Sequence, residues 1–179
     1  MKYKFCPKCG AELIMRNSWD EGEVPYCEAD DIMYFDLPKP CVVVAVVRDH
    51  EILLMKQSYI YKNSKVLVSG YVTIGENVEE TVIREVKEET GITINNLKYL
   101  GSDVIPPAEL LMLTFMAEYV EGEVTKSDEV EWVDWSNLED ALCEMKEDEV
   151  GKKVVRKVLK EIGYTGDKAY SCELEFKDK

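Results

Sequence analysis

Glu85, Glu88 and Glu89 fall within five residues of one another, with Arg84 before them and Glu76 further upstream. Carboxylates so crowded repel unless a cation lies among them. Hard oxygen donors that leave room for water suit Mg2+ or Mn2+. A helix is expected from about Asn77 or Val78 to Thr90, with Asn77 as N-cap, Glu79 and Glu80 in the first turn, and Gly91 as the stop. On that helix Val78, Val82 and Val86 form one apolar stripe, with Ile83 at its edge. Glu85 and Glu89, one turn apart, border the stripe, where an unpaired carboxylate is costly. Glu88 lies further out, and Arg84, Lys87 and Glu80 fall on the opposite, solvated side. Arg84 can still orient a neighbouring carboxylate from outside. Gly70 and Gly75 let the backbone pass close enough for a carbonyl to ligate a metal. A glycine-bounded turn entering a helix can also receive phosphate.

The elements around this segment follow from local pattern. Residues 41–47 form an unbroken aliphatic run, as expected of a central strand buried on both faces. Residues 48–50 are a turn and 51–56 a second strand, so the pair reads as a hairpin. His50, the single histidine, sits in that polar turn, which argues against histidine-based catalysis. Residues 57–65 read as a polar loop and 66–69 as a short strand feeding Gly70. Strands are expected again at 92–99, 110–119 and, half-buried, 127–135. Ser136 reads as the cap of a short acidic helix, with Glu139 at the capping-box position. Residues 147–162 read as an amphipathic helix, and 170–176 alternate enough for an edge strand.

The N-terminal segment carries a different chemistry. Cys6-Pro7-Lys8-Cys9-Gly10 is a metal-binding knuckle, and Cys27-Glu28-Ala29-Asp30 repeats its spacing with Asp30 in the last position. Asp31 or Cys41 could replace Asp30. The segment is either a zinc site of three cysteines and one aspartate or a ribbon that keeps its shape without metal. Cys143 and Cys172 read as small hydrophobes. Leu37-Pro38-Lys39-Pro40 is a linker.

The 179 residues include 46% hydrophobic and 32% charged residues, enough for one core and a solvated surface. No apolar run is long enough to span a membrane, and no signal peptide is read at the N-terminus. Six cysteines without a leader fit a reducing, cytoplasmic setting. The net charge of −14 argues against broad nucleic-acid binding but not against a small anionic ligand met by a local cation.

Gly70, Glu76, Arg84, Glu85, Val86, Glu88, Glu89, Gly91 and Ile92 match the pattern G-x5-E-x7-R-E-U-x-E-E-x-G-U, with U aliphatic. This segment resembles the box of the Nudix hydrolase family. The resemblance implies an α/β (α+β) fold with a mixed sheet between helices, here with a small zinc-ribbon-like appendage. Its domains would be residues 1–37, 38–163 and a tail from 164 to 179. It also implies metal-dependent hydrolysis of a pyrophosphate joining a nucleoside diphosphate to another group. By that resemblance Glu85 and Glu89 are Mg/Mn ligands, Glu88 is a ligand or base, and Gly70 offers its carbonyl. Glu76 joins Arg84 in an electrostatic network. Glu129, six residues before Trp135, would complete the metal site, with Glu131 as the fallback.

The ribbon, the linker, the box and residues 110–119 together resemble the NADH pyrophosphatase branch. That implies a dinucleotide substrate such as NADH or NAD, with ADP-ribose, a dinucleoside polyphosphate or a nucleoside triphosphate as alternatives. Some members sense nucleotides without turnover. Relatives with this ribbon often pair as homodimers. The branch's selector S-Q-P-W-P-F-P-x-S is matched here only at Ser102 and Pro106. Asp103 and Glu109 lie within the same segment and are expected with them beside the substrate.

Overall fold

A computed structural model describes residues 3–57, 59–166 and 168–171. The chain divides at the proline linker into two units, Met1–Pro38 and Lys39–Lys179. The first unit is a three-stranded antiparallel sheet of β1 (Ile14–Ser18), β2 (Gly22–Cys27) and β3 (Ile32–Met33). Its core is small: Cys6, Leu13 and Cys27, with Ala11 and Tyr34 against them.

The second unit is built on β4 (Lys39–Arg48), followed by β5 (Glu51–Lys56), β6 (Val68–Tyr71), α1 (Val78–Thr90), β7 (Thr93–Ile105) and β8 (Leu110–Glu121). It closes with β9 (Trp132–Asn137), α2 (Ala141–Glu144) and α3 (Glu149–Glu161). The six-stranded sheet runs β7-β8-β4-β5-β9, with β6 also paired to β4. β8 lies parallel to β4 along nine register pairs, while β5 and β6 share its other edge. Alternation then divides the aliphatic run between two cores. Cys41, Val43 and Ala45 pack with α2 and α3 residues. Val42, Val44 and Val46 pack with Val82 and Val86 of α1. Each of these α1 valines is fully buried, stabilising the docked helix by about 1.5–3 kcal/mol.

The helix that carries the glutamates begins and ends where its caps dictate. Asn77 Oδ1 accepts from the Glu80 N–H, the Glu80 carboxylate accepts from the Asn77 N–H, and Gly91 ends the helix in the left-handed region.

Several local expectations are corrected. Residues 100–105 continue β7 rather than leaving it, because they pair with β8 as far as Ile105↔Leu110. The last strand starts at Trp132, not Ser127. Residues 127–130 instead turn over the end of α1, where the Ser127 N–H donates to the Glu89 carbonyl at 3.4 Å. Ser136 is no cap; it lies buried in β9 and accepts from Lys65 Nζ. Helix α3 begins at Glu149, and Asp148 caps it. Ile83 is exposed. Cys143 is disulfide-bonded rather than a plain small hydrophobe; Cys172 lies outside the described residues. Residues 168–170 form a 3-10 turn instead of entering a strand, and 172–176 of the expected strand lie outside the described residues.

Candidate functional site

β6 and α1 bring the box together. In β6, Gly70 pairs with Val42, so it faces the α1 side of the sheet. A methyl group at Gly70 would lie 2.0 Å from the Glu85 carboxyl carbon. The glycine therefore permits a contact between strand and carboxylate that no other residue type allows. Gly70, Glu85, Glu89 and Glu129 line one cleft of about 560 Å³. Glu129 lies in the turn before β9, not in the strand.

Arg84 does not point into solvent as its wheel position suggests. It folds back and ties four groups together. Nε and Nη2 donate to the two oxygens of Glu76 at 2.6 and 3.0 Å. Nη1 donates to Glu85 Oε1 at 2.8 Å and to Glu88 Oε2 at 3.1 Å, and Nη2 also reaches the Tyr71 carbonyl at 3.2 Å. The Arg84 guanidinium, with help from Thr73 and Thr81, holds the Glu76 carboxyl down at about 2. Glu88 stays largely exposed and outside the cleft lining. A lysine in place of Arg84 would keep the charge but lose the fork that makes these bonds at once. Arg84→Lys is expected to lower turnover about tenfold or more with little change in melting temperature. Steady-state kinetics beside a melting curve test this.

Glu89 is in the opposite situation. It is 6% exposed, and its Oε1 accepts from Gln57 Nε2 at 2.9 Å. Its Oε2 is buried without a hydrogen-bond partner, as is Gln57 Oε1. Burial, then the negative charge of Glu85, push its carboxyl up to about 7. Burial raises Glu85 as well, against the pull of Arg84. Two desolvated carboxylates, one with an orphaned oxygen, share a cleft with a third. That is a donor set suited to a hard divalent cation. These carboxylates are spread more widely than the thiol cluster of the first unit, and Glu85 is turned toward Arg84.

Tyr59 and Tyr61 also line the cleft, as do Cys41, Ile105, Leu110, Met112 and Asp148. Burial and the nearby Glu85 charge push the Cys41 thiol up to about 11. None of Ser102, Asp103, Pro106 and Glu109 is among the lining residues. Asp103 is engaged by Lys153 at 2.9 Å and Lys157 at 3.6 Å of α3. Pro106 begins an exposed 3-10 turn that Glu109 ends with φ of 54°. Their neighbours Ile105 and Leu110 reach the cleft instead. His50 is exposed and outside the cleft, and the Glu131 N–H donates to the Lys56 carbonyl.

In the first unit one ligand atom from each of Cys6, Cys9, Cys27 and Asp30 lies within 4.8 Å of the others. Cys9 and Cys27 sulfurs are 3.5 Å apart, and Asp30 Oδ2 is 3.3 and 3.6 Å from the sulfurs of Cys6 and Cys27. Tetrahedral zinc with 2.3 Å bonds needs sulfurs about 3.7 Å apart. The two knuckles match in backbone: Gly10 follows Cys9 with φ of 78°, and Asp31 follows Asp30 with φ of 53°. Asp31 is thus the turn residue, bonded by the Tyr26 hydroxyl at 2.6 Å, and Cys41 lies in β4.

The sequence comparisons agree with this geometry. A model of the NUDIX domain matches residues 37–158. The chain belongs to the Nudix family. Among Nudix relatives, the NAD-capped RNA hydrolase NudC of Pseudomonas aeruginosa is 35% identical over 137 residues, covering 76% of this chain and 48% of that protein. The Escherichia coli protein of the same name is 36% identical over 123 residues, covering 68% and 46%. The chain thus spans about half the length of the curated relatives it matches. A Nudix hydrolase structure from Nitrosomonas europaea superposes with a TM-score of 0.74 at 19% identity, over 90% of this chain and 94% of that one. The mixed sheet flanked by helices is therefore the Nudix fold. Among the described residues no helix is long and apolar enough to cross a membrane.

Sequence reasoning missed Gln57, Tyr59, Tyr61 and Asp148. Gln57 and the two tyrosines stand in what reads as an ordinary polar loop. Asp148 followed by Gly151 and a valine stripe carries a legible cap signal, but nothing local says that the cap also faces a cleft.

Proposed function

We propose that this protein hydrolyses the pyrophosphate of a dinucleotide such as NADH or NAD, using Mg2+ or Mn2+. The observation that carries this is the cleft in which the intact box glutamates Glu85 and Glu89 meet Glu129 and Gly70, with Glu89 Oε2 buried and unpartnered. The substrate class rests on the NAD-capped RNA hydrolases to which this chain is similar. The net charge of −14 gives no support for gripping a long RNA body.

In this reading Glu85, Glu89 and Glu129, with the Gly70 carbonyl, hold the cation, and Glu88 adds an outer carboxylate. The bound cation would neutralise pyrophosphate charge and acidify water. Arg84 keeps Glu85 and Glu76 in position. Burial holds the Glu89 carboxyl up at about 7 while no cation is bound; with the cation in place, Glu88 or another of the box glutamates would take the proton that water gives up. The water oxygen bonds to phosphorus as the bridging P–O bond breaks, and NADH would yield two mononucleotides. The aliphatic walls limit access of other water.

A panel of NADH, NAD, ADP-ribose, diadenosine polyphosphates and nucleoside triphosphates, each with Mg2+ or Mn2+, tests the reading. Mononucleotide release from NADH or NAD at the highest kcat/KM is expected. Preference for another member would move the substrate, and no turnover of any would replace hydrolysis by nucleotide sensing.

The same proposal takes residues 1–37 as a zinc-ribbon-like appendage in which Cys6, Cys9, Cys27 and Asp30 hold one structural Zn2+, residues 38–163 as the catalytic domain, and the assembly as a cytoplasmic homodimer. Metal analysis of purified protein should find about one zinc per chain, retained in Asp30→Cys and lost in Asp30→Ala. A zinc-free parent with an intact fold would show that the ribbon holds its shape alone.

A further inference from the structure

The cleft continues past its carboxylates, and its far end has a separate chemistry. Cys41, Val43 and Met112 wall it from the sheet face that packs toward α3, and Ile105 and Leu110 close it from β7 and β8. Asp148 stands among these apolar groups and is only 8% exposed. Its Oδ1 accepts from the Gly151 N–H at 2.8 Å. Among the described residues, only the N–H groups of Val150 and Gly151 at the start of α3 donate to this carboxylate.

Lys152, the cation whose charge acts on Asp148, is occupied by Glu149 Oε1 and the Lys146 carbonyl. The carboxylate is also held in place. A methyl at Gly151 would fall 2.2 Å from Asp148 Oδ2, so only glycine admits it. Burial raises the Asp148 carboxyl. Two backbone N–H groups leave the carboxylate with acceptor capacity that a ligand N–H could use. Apolar walls beside one fixed acceptor suit a flat ring that bears an NH2 group.

We propose that Asp148 is a specificity-determining residue whose Oδ2 accepts a hydrogen bond from an NH2 group on a substrate ring, either the exocyclic amine of adenine or the carboxamide of nicotinamide. This rests on the pyrophosphatase reading, because the same cleft holds Glu85, Glu89 and Glu129 at its other end. Tyr59 and Tyr61 bound the intervening stretch. Glu89, Glu129 and Glu85 are the charges that act on Tyr59, whereas Asp148 leads those acting on Tyr61. The tyrosines thus span the distance from the pyrophosphate end to the ring end.

The test measures kcat/KM for three substrates with Mg2+: NAD, its hypoxanthine analogue, in which the adenine amine becomes an oxo group, and its nicotinate analogue, in which the carboxamide becomes a carboxylate. Parent protein and Asp148→Asn are compared. Asparagine caps a helix as well as aspartate does, but it turns a donor toward the cleft in place of Oδ2. The parent is expected to disfavour one analogue by roughly 10- to 100-fold, and that analogue identifies the ring that Asp148 reads. Asp148→Asn should erase or invert that same ratio.

A parent that treats all three substrates alike overturns the proposal while leaving the pyrophosphatase reading intact. So does an Asp148→Asn variant with a normal melting curve and an unchanged ratio. A parent that cleaves none of them sinks both. If Asp148→Asn fails to fold, Asp148→Ser, which also caps a helix but lacks Oδ2, takes its place, and an unchanged ratio in it overturns the proposal.

Discussion

Glu89→Gln is expected to abolish Mg-dependent turnover and, in the metal-free protein, to raise the melting temperature. Both effects come from one cause. The Glu89 carboxyl titrates at about 7 in the folded chain against an ordinary 4.5, so the folded state binds its proton more tightly than the unfolded state does. The stability this proton confers is complete below about pH 4.5 and is lost as pH rises through about 7. At pH 8 the parent therefore carries a buried, unpaired charge costing roughly 3 kcal/mol. Glutamine is neutral at every pH and can still accept from Gln57 Nε2. In EDTA at pH 8 the variant should melt roughly 6–12 °C above the parent, and the gap should close toward pH 4.5. Mg2+ should stabilise the parent and leave the variant unmoved, while turnover falls by about three orders of magnitude or more. Equal melting curves at pH 8 would mean that the Glu89 charge is already compensated, and parent-like turnover would remove Glu89 from the chemistry.

Gly70→Ala should act at the other wall of the same site. The added methyl would lie 2.0 Å from the Glu85 carboxyl carbon and 2.0 and 2.5 Å from its oxygens. β6 cannot retreat easily, because Gly70 is in register with Val42 and its neighbours with Cys41 and Val43. Glu85 must therefore swing away, breaking its 2.8 Å bond to Arg84. Misplacing one group of a metal-binding set by an ångström or more costs on the order of 100-fold in rate. The lost ion pair is partly exposed and costs about 1 kcal/mol or less in stability. A Mg2+ titration of turnover beside a melting curve separates the two effects. Turnover within threefold of the parent would show that Glu85 tolerates the displacement.

These effects also mark what could be read in advance. Helix α1 was legible from end to end because its boundaries are set by neighbours in sequence: Asn77 with Glu80 at the start and Gly91 at the stop. The β4 run was legible because a strand buried on both faces must be apolar throughout. Glu85 and Glu89 could be put at the border of the core from the helical repeat alone. Arg84 falls on the solvated side of the wheel, yet its role in orienting Glu85 and pairing with Glu76 was also readable, since a wheel gives the direction of Cβ and not where a long flexible side chain ends. Gln57 and Asp148 were illegible for another reason. A polar residue is buried by chain that arrives from elsewhere, here the Glu89 carboxylate for Gln57 and the cleft walls from β4, β7 and β8 for Asp148. The selector segment lies off the cleft lining, with Asp103 paired to Lys153 and Lys157 on a helix fifty residues later. That pairing leaves no trace in local pattern.

The parallel pairing of β4 with β8 bears on how the molecule is made. Partners such as Lys39↔Leu110 and Val47↔Glu118 are about seventy residues apart along the chain. Such closures are slow, since chain entropy is lost before any contact compensates it. Among the described residues, β6, which carries Gly70, pairs with β4 alone. During synthesis the whole glutamate segment therefore leaves the ribosome well before the strand that completes its scaffold. A nascent chain halted near residue 95 should expose α1 and β4 to proteases and chaperones, and one extended beyond residue 121 with a spacer should bring the two together.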